Sequence, residues 1–393
     1  MNKVSLSDIA TIYNGNSINQ KVKQEKYTGH INGFNYIGTK DIDFDGTVNY
    51  ENGVKIPFED NKFKTAPAGS VFVCAEGGSA GRKSAYINQE VCFGNKLYAI
   101  VNSKMLFDPL YLYYFTRSKL FFSQFKNLLN GIIGGVSTKN FGTIKIPLPP
   151  LADQHRIVTK IEELFSQLDS GVETLKKTKK QLAVYRQAVL KEAFEDCPSI
   201  KVEDVCVHVT DGDHLPPPKA LTGIPFIMIS NIENNKINWS NTAFVGLDYY
   251  KSLNEKRRPQ KGDVLYTVTG SFGIPVLVDF EKEFCFQRHI ALLRPNERIT
   301  QKYLYYAMQT PNVYIQARDK STGTAQKTVG LAVLRKIVIP FVKSIQQQND
   351  TVHNIEAKLS VCDSIEKTVD DALQQAEALR QSILKKEFEG GLT

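Results

Sequence analysis

The chain has 393 residues, more than one hydrophobic core commonly serves, so two or more domains are expected. Its 42% apolar and 23% charged residues exclude intrinsic disorder, and no apolar run approaches the roughly 18 residues of a membrane span. The formal charge of +8 admits a polyanion partner without requiring one, and the stretch from Met1 to Ser5 lacks the apolar segment of a secretory signal, so a cytoplasmic protein is expected.

Residues 1–150 read as a first globular domain, sheet-rich, with short apolar runs such as Ser70 to Cys74 broken by Gly, Asn and Pro. Asp41, Asp43 and Asp45 open like a calcium loop, but Asn52 stands where the bidentate acid belongs, and the stretch predicts a hairpin turn. Gly77 to Ser84 has the flexibility of a phosphate loop, yet Arg82 occupies the second glycine position of that motif. The segment from Tyr111 to Phe125 predicts a helix, and Pro147, Pro149 and Pro150 exclude helix at the domain's end.

Residues 151–198 predict one long helix. Apolar residues recur every seven positions at Ile161, Leu168, Leu175, Leu182 and Val189, with Ile157, Leu164 and Tyr185 as a companion seam. Residues 199–342 form a second globular domain, in which Cys206, His208 and His214 lack a fourth zinc ligand at customary spacing. Residues 343–393 carry a second long helix, from near Gln346 to Glu389, whose seam is Ile355, Leu359, Cys362, Ile365, Val369, Ala372, Ala376, Leu379 and Ile383. An antiparallel pairing of the two helices is expected, with Gly171, Ala372 and Ala376 leaving room for close approach. The alternative is that each helix caps only its own domain.

The chain is written twice. Ile146-Pro147 recurs as Ile339-Pro340, a shift of 193, and Arg186-Gln187-Ala188-Val189-Leu190-Lys191 as Arg380-Gln381-Ser382-Ile383-Leu384-Lys385, a shift of 194. Cys92-Phe93 is echoed by Cys285-Phe286, and Tyr111-Leu112-Tyr113-Tyr114 by Tyr303-Leu304-Tyr305-Tyr306. A period of this length is a duplicated domain rather than a solenoid repeat. The fold class is therefore α+β: two sheet-containing globular domains, each followed by a long helix.

Charge follows the same division. The first globular domain carries net +6 and the second +5, whereas the helical segments carry 0 and −3. Two cationic domains joined by neutral rods suit duplex DNA, whose backbone has local twofold symmetry and whose base edges let diverged loops read different words. Candidate DNA contacts in the first domain are Arg82, Lys83, Asn95, Lys96 and Lys139. Those in the second are Thr269, Ser271, Arg288 and His289, and Lys139, Arg257, Arg258 and Lys327 are expected as phosphate anchors rather than base readers. No catalytic residue and no metal site is assigned. The rival readings are a self-sufficient DNA methyltransferase or nuclease, and a helical scaffold whose basic domains are incidental.

The junction Ile146-Pro147-Leu148-Pro149-Pro150-Leu151-Ala152-Asp153-Gln154, the shared Arg-Gln-x-[Val/Ile]-Leu-Lys helix endings and Thr210-Asp211-Gly212-Asp213-His214 together resemble the specificity subunit of type I restriction-modification enzymes. The resemblance spans the whole chain and adds Asp211 and His214 to the candidate residues. The chain departs from it at Val342-Lys343-Ser344-Ile345, where the proline-rich junction is missing, and at Tyr13-Asn14-Gly15-Asn16, where the first domain lacks the Asp-Gly-x-His element. The resemblance implies a non-catalytic subunit whose two target recognition domains bind a split, asymmetric sequence in double-stranded DNA. It implies two modification subunits, which bind S-adenosylmethionine and methylate adenine, and restriction subunits using ATP and Mg. No cofactor is implied on this chain.

Overall fold

The computed structural model describes residues 3–130, 134–214, 217–323 and 326–389. They belong to two compact units, one formed by residues 1–175 and 371–393, the other by residues 176–370. Both are α+β, and each takes a length of both long helices.

In unit one an antiparallel sheet runs in the spatial order Thr11–Asn14, Leu97–Val101, Val71–Cys74, Ser84–Tyr86. A second sheet runs Lys55–Ile56, Phe34–Ile37, Val91–Phe93, Thr65–Ala66, its central pair parallel. The run Val71 to Cys74 is apolar at every position because both its faces are covered. Phe72 and Cys74 pack on Ile37 and Phe93, whereas Val71 and Val73 pack on Tyr111, Leu112, Phe115 and Phe121.

Unit two repeats this plan. One sheet runs Cys206–Asp211, Ile290–Pro295, Val264–Thr267, Pro275–Leu277, and the other Lys219–Ala220, Ala243–Val245, Ile224–Ile227, Cys285–Phe286. The repeated Ile-Pro dipeptides occupy matching strands: Lys145–Pro147 pairs with Lys3–Ser5, and Val338–Pro340 with Ser199–Lys201.

The long helices are Leu151–Ala193 and Ile345–Glu389. They pair antiparallel in each unit. In unit one Lys160 bridges to Glu387 at 3.4 Å and Asp169 to Arg380. In unit two Lys179 meets Asp370 at 2.7 Å, Arg186 meets Asp363 at 2.6 Å and Glu192 meets Lys358 at 2.8 Å, so advance along one helix is retreat along the other. These ion pairs, each with at least one solvent-exposed member, set register; the apolar seam supplies the stability, about 1.5–3 kcal/mol for each fully buried Leu, Ile or Val.

Each domain's core is completed by a helix segment remote in sequence. Ile157, Val158, Ile161 and Phe165 share a cluster with Leu384 and Phe388, and the Phe388 ring lies 5.1 Å from Tyr111. In unit two Val189, Leu190 and Phe194 share a cluster with Val352 and Ile355, and Phe194 lies 5.3 Å from Tyr303. The alternative in which each helix merely caps its own domain is thereby overturned.

Four details differ from the sequence reading. The stretch Tyr111 to Phe125 is two helices, Pro109–Thr116 and Lys119–Asn127, broken where the Ser118 hydroxyl accepts from Phe121 N. Along the seams Ile161, Leu182, Val189, Ile355, Cys362, Val369 and Ala376 are buried and Leu168, Leu175 and Ile383 partly so, but Tyr185, Ile365 and Leu379 are exposed. Of the companion seam, Ile157 is buried and Leu164 partly so, and Tyr185 is the member that faces water. Gly171 has open space where a side chain would stand, so it mediates no close approach. At the second junction, Ser344 replaces proline as the start signal: its hydroxyl accepts from Gln347 N and its carbonyl from Gln348 N.

Gln154 and Gln348, fully buried at matching places, pin each helix start to its domain. Gln154 accepts from Asp108 N at 2.8 Å and donates to Pro149 O at 2.8 Å. Gln348 accepts from Thr300 N and donates to Arg298 O and Val342 O, each at 2.8 Å.

Candidate nucleic-acid interface

Three segments converge in unit one: the loop after Val71–Cys74, the turn between Val91–Phe93 and Leu97–Val101, and residues 134–136. Ala75 N donates to Lys96 O at 2.8 Å, Gly77 N to Gly134 O at 2.9 Å and Val136 N to Ala75 O at 3.2 Å. Unit two makes the same three bonds, Val268 N to His289 O at 2.9 Å, Gly270 N to Lys327 O at 3.0 Å and Val329 N to Val268 O at 2.8 Å. Gly77 and Gly270 have φ of +85° and +69°, a conformation that side chains disfavour, which is why glycine begins both loops.

This frame gathers the candidate residues. In unit one it presents Arg82, Asn95 and Lys96 to solvent, with Lys83 half-buried and Lys139 exposed on the short helix Thr138–Gly142 that follows. In unit two it presents Ser271, Arg288 and Lys327, with His289 half-buried and Thr269 buried. The backbone is common to both units and the side chains are not.

The differences extend to residues that periodicity and motif could not reveal. Phe44, exposed on the Ile42–Val48 turn, carries Arg82 and Lys83 over its ring at 5.2 and 4.9 Å from the centroid. Lys83 also donates to Thr39 O at 3.3 Å. The corresponding turn of unit two instead walls a cavity of about 430 Å³ with Ser230 and Glu233, facing Thr269, Ser271, His289 and Gln326. Burial, and then the charge of Arg288, hold the His289 imidazole below its ordinary pKa. It therefore acts at neutral pH as a hydrogen-bonding group rather than a cation.

The Asp211 element has a counterpart after all. Gly212 presses on Phe286 O and Gly15 on Phe93 O, so closely that a Cβ at either would collide, and Asn14-Gly15-Asn16 occupies the place of Asp211-Gly212-Asp213. Sequence held the signal in the shared Asx-Gly-Asx order. In unit one Lys64 Nζ donates to Asn14 O at 3.0 Å, and in unit two Arg257 lies 3.5 Å from Asp211 and 3.8 Å from Asp213. Asp211 also meets His214 Nε2 at 2.9 Å, and Tyr249 donates to Asp213 at 2.8 Å.

Arg257 and Arg258 thus have structural partners. Arg258 donates to Leu253 O at 2.9 Å and stands over the Tyr250 ring, while the segment bearing both is tied to the sheet by the buried Arg294–Asp263 pair at 2.8 Å. Among the described residues no group of three or more His, Cys, Asp or Glu is placed to hold a metal ion.

The family model for the type I restriction modification DNA specificity domain matches residues 1–183 and again residues 201–375. The chain is 26% identical over 331 residues to the type I restriction enzyme EcoKI specificity subunit of Escherichia coli K12, a match covering 77% of this chain and 70% of that one. It is 24% identical over 323 residues to the MjaVIII specificity subunit of Methanocaldococcus jannaschii, covering 74% of each. Among solved structures, a chain from work on complex assembly and conformational transition of the type I R-M system is similar with a TM-score of 0.76 at 18% identity, covering 100% of this chain and 98% of that one. The HsdS subunit from Thermoanaerobacter tengcongensis is similar with a TM-score of 0.51, also at 18% identity, covering 100% and 97%. At such identities the structural likeness speaks for the fold.

Proposed function

Because the chain belongs to the type I restriction modification DNA specificity family, we propose that it is the non-catalytic DNA-recognition subunit of a type I restriction-modification complex, reading a bipartite, asymmetric target in duplex DNA. The observation that carries this reading is the doubled loop frame with unlike side chains: Asn95 and Lys96 stand at the positions of Arg288 and His289, and the loop that bears Arg82 and Lys83 in unit one bears Ser271 and no cation in unit two. Matched frames make equivalent approaches to a backbone that is the same everywhere, and unmatched side chains distinguish base edges.

In this reading each unit contributes one word of the target. Where both face one side of a duplex, the half-site centres lie about one helical turn apart, roughly 10 bp, or a multiple of it. Two modification subunits dock on the chain, bring S-adenosylmethionine and methylate adenine, while ATP and Mg belong to restriction subunits. Exposed lysines such as Lys96, Lys139 and Lys327 supply the salt-sensitive part of DNA affinity and Arg82 and Arg288 the base-reading part.

The test is methyl transfer from labelled S-adenosylmethionine to DNA, together with gel shifts at two salt concentrations. The purified chain transfers nothing; the assembly with modification subunits transfers methyl groups and retains a preference for one split site after salt has weakened its general affinity. Transfer by the chain alone would support a self-sufficient enzyme, and weak, sequence-blind binding by the assembly would support the scaffold.

A further inference from the structure

Each unit carries an exposed apolar corner at the same place in its fold. In unit one Ile31, 83% exposed, lies before the strand Phe34–Ile37, and Phe58, 60% exposed, follows Lys55–Ile56. In unit two Leu221, 98% exposed, lies before Ile224–Ile227, and Leu247, 47% exposed, follows Ala243–Val245.

Backbone geometry fixes the correspondence. Gly33 and Gly223 have φ of +140° and +137°, and each presses on a neighbouring carbonyl, that of Ile56 or Val245, where a Cβ would collide. Phe34 pairs with Ile56 and Ile224 with Val245. Ile31 and Leu221 stand two residues before the glycine, Phe58 and Leu247 two residues after the carbonyl. In unit one the corner is stiffened by the Phe34 and Phe58 rings, 4.8 Å apart, and by Lys55 Nζ donating to Ile31 O at 2.9 Å. An exposed carboxylate follows in both units, Glu59 after Phe58 and Asp248 after Leu247.

Single exposed apolar residues are ordinary on protein surfaces, but this arrangement occurs twice, in domains whose candidate DNA-reading side chains have diverged. A feature kept in both units serves an occupant common to both. The phosphate backbone is common to both half-sites, yet it is anionic, and Glu59 and Asp248 repel it while the aliphatic and phenyl groups offer it nothing. We infer that the two corners are docking surfaces for one protein partner taken in two copies, one on each unit, which presents an apolar side chain beside a cation. The inference rests on the proposed function, within which that partner is the modification subunit.

The experiment uses the full chain assembled with its modification subunit, its stoichiometry read by native mass spectrometry and its affinity by titration. The variants are Ile31→Ser with Phe58→Ser, Leu221→Ser with Leu247→Ser, and all four together. Each pair weakens one of the two sites about tenfold or more and leaves complexes with one partner copy; the fourfold variant weakens both. Glu59→Lys and Asp248→Lys weaken the same sites in step with the melting temperature unchanged, because both carboxylates are solvated, and so separate loss of docking from the loss of the Phe34–Phe58 ring contact that Phe58→Ser also causes. Unchanged partner affinity in every variant, or loss of DNA affinity with two partners still bound, overturns the inference and leaves the proposed function standing. Failure of the unsubstituted chain to bind any modification subunit overturns both.

Discussion

At the scale of single residues, charge and conformation divide the candidate contacts into kinds. Arg82 and Arg288 are exposed and project from the shared loop frame, so each is free to grip a base edge with two hydrogen bonds. Arg82→Ala is expected to cost about 1–3 kcal/mol at one base position of the first word and Arg288→Ala the same in the second, measured by competition binding against single-base variants of the target. His289 behaves differently. Its pKa lies below the ordinary value, so the folded state resists the proton and stability present above that value is lost as pH falls through it and on through the depressed one. The melting temperature should therefore drop between pH 7 and pH 5, and His289→Gln should flatten part of that slope. Arg257, held by Asp211 and Asp213, has an internal role that its position in the sequence did not disclose.

At the scale of elements, the long helices were the most legible part of the sequence, because a seven-residue apolar spacing over some forty positions has no competing explanation. Ile161, Leu182 and Val189 on the first, and Ile355, Cys362 and Val369 on the second, follow directly from it. The companion seam held at Ile157 and Leu164 but not at Tyr185, which lies on the uncovered side, since spacing alone does not say how wide a stripe the partner covers. Leu182→Ala should therefore destabilise by about 2 kcal/mol in chemical denaturation, whereas Tyr185→Ala changes stability little. Short strands were harder. Apolar runs such as Val71 to Cys74 announce a strand but not its neighbours, and the parallel pairing of Phe34–Ile37 with Val91–Phe93 joins segments more than fifty residues apart. The exposed Phe44 turn lies in the Asp41 to Asp45 stretch, which reads only as a hairpin, and the Ser230–Glu233 wall lies on a segment with no motif; only the fold brings them to Arg82 and to His289.

At the scale of the whole molecule, duplication is what makes the architecture intelligible. Each unit is built from one globular domain, the start of its own long helix and the end of the other, as Phe388 on Tyr111 and Phe194 on Tyr303 show. The chain is therefore two equivalent bodies whose loops have been free to change independently. In the proposed function, recognition of two different words by one chain is the counterpart of that design, and the most direct measurement is the pattern of methylated adenines across host DNA, mapped with the gene present, deleted, and rebuilt with residues 1–150 taken from another family member. The account predicts a single split motif that vanishes on deletion and changes in one word only after the exchange. A continuous motif, a motif that survives deletion, or an exchange that alters both words would contradict it.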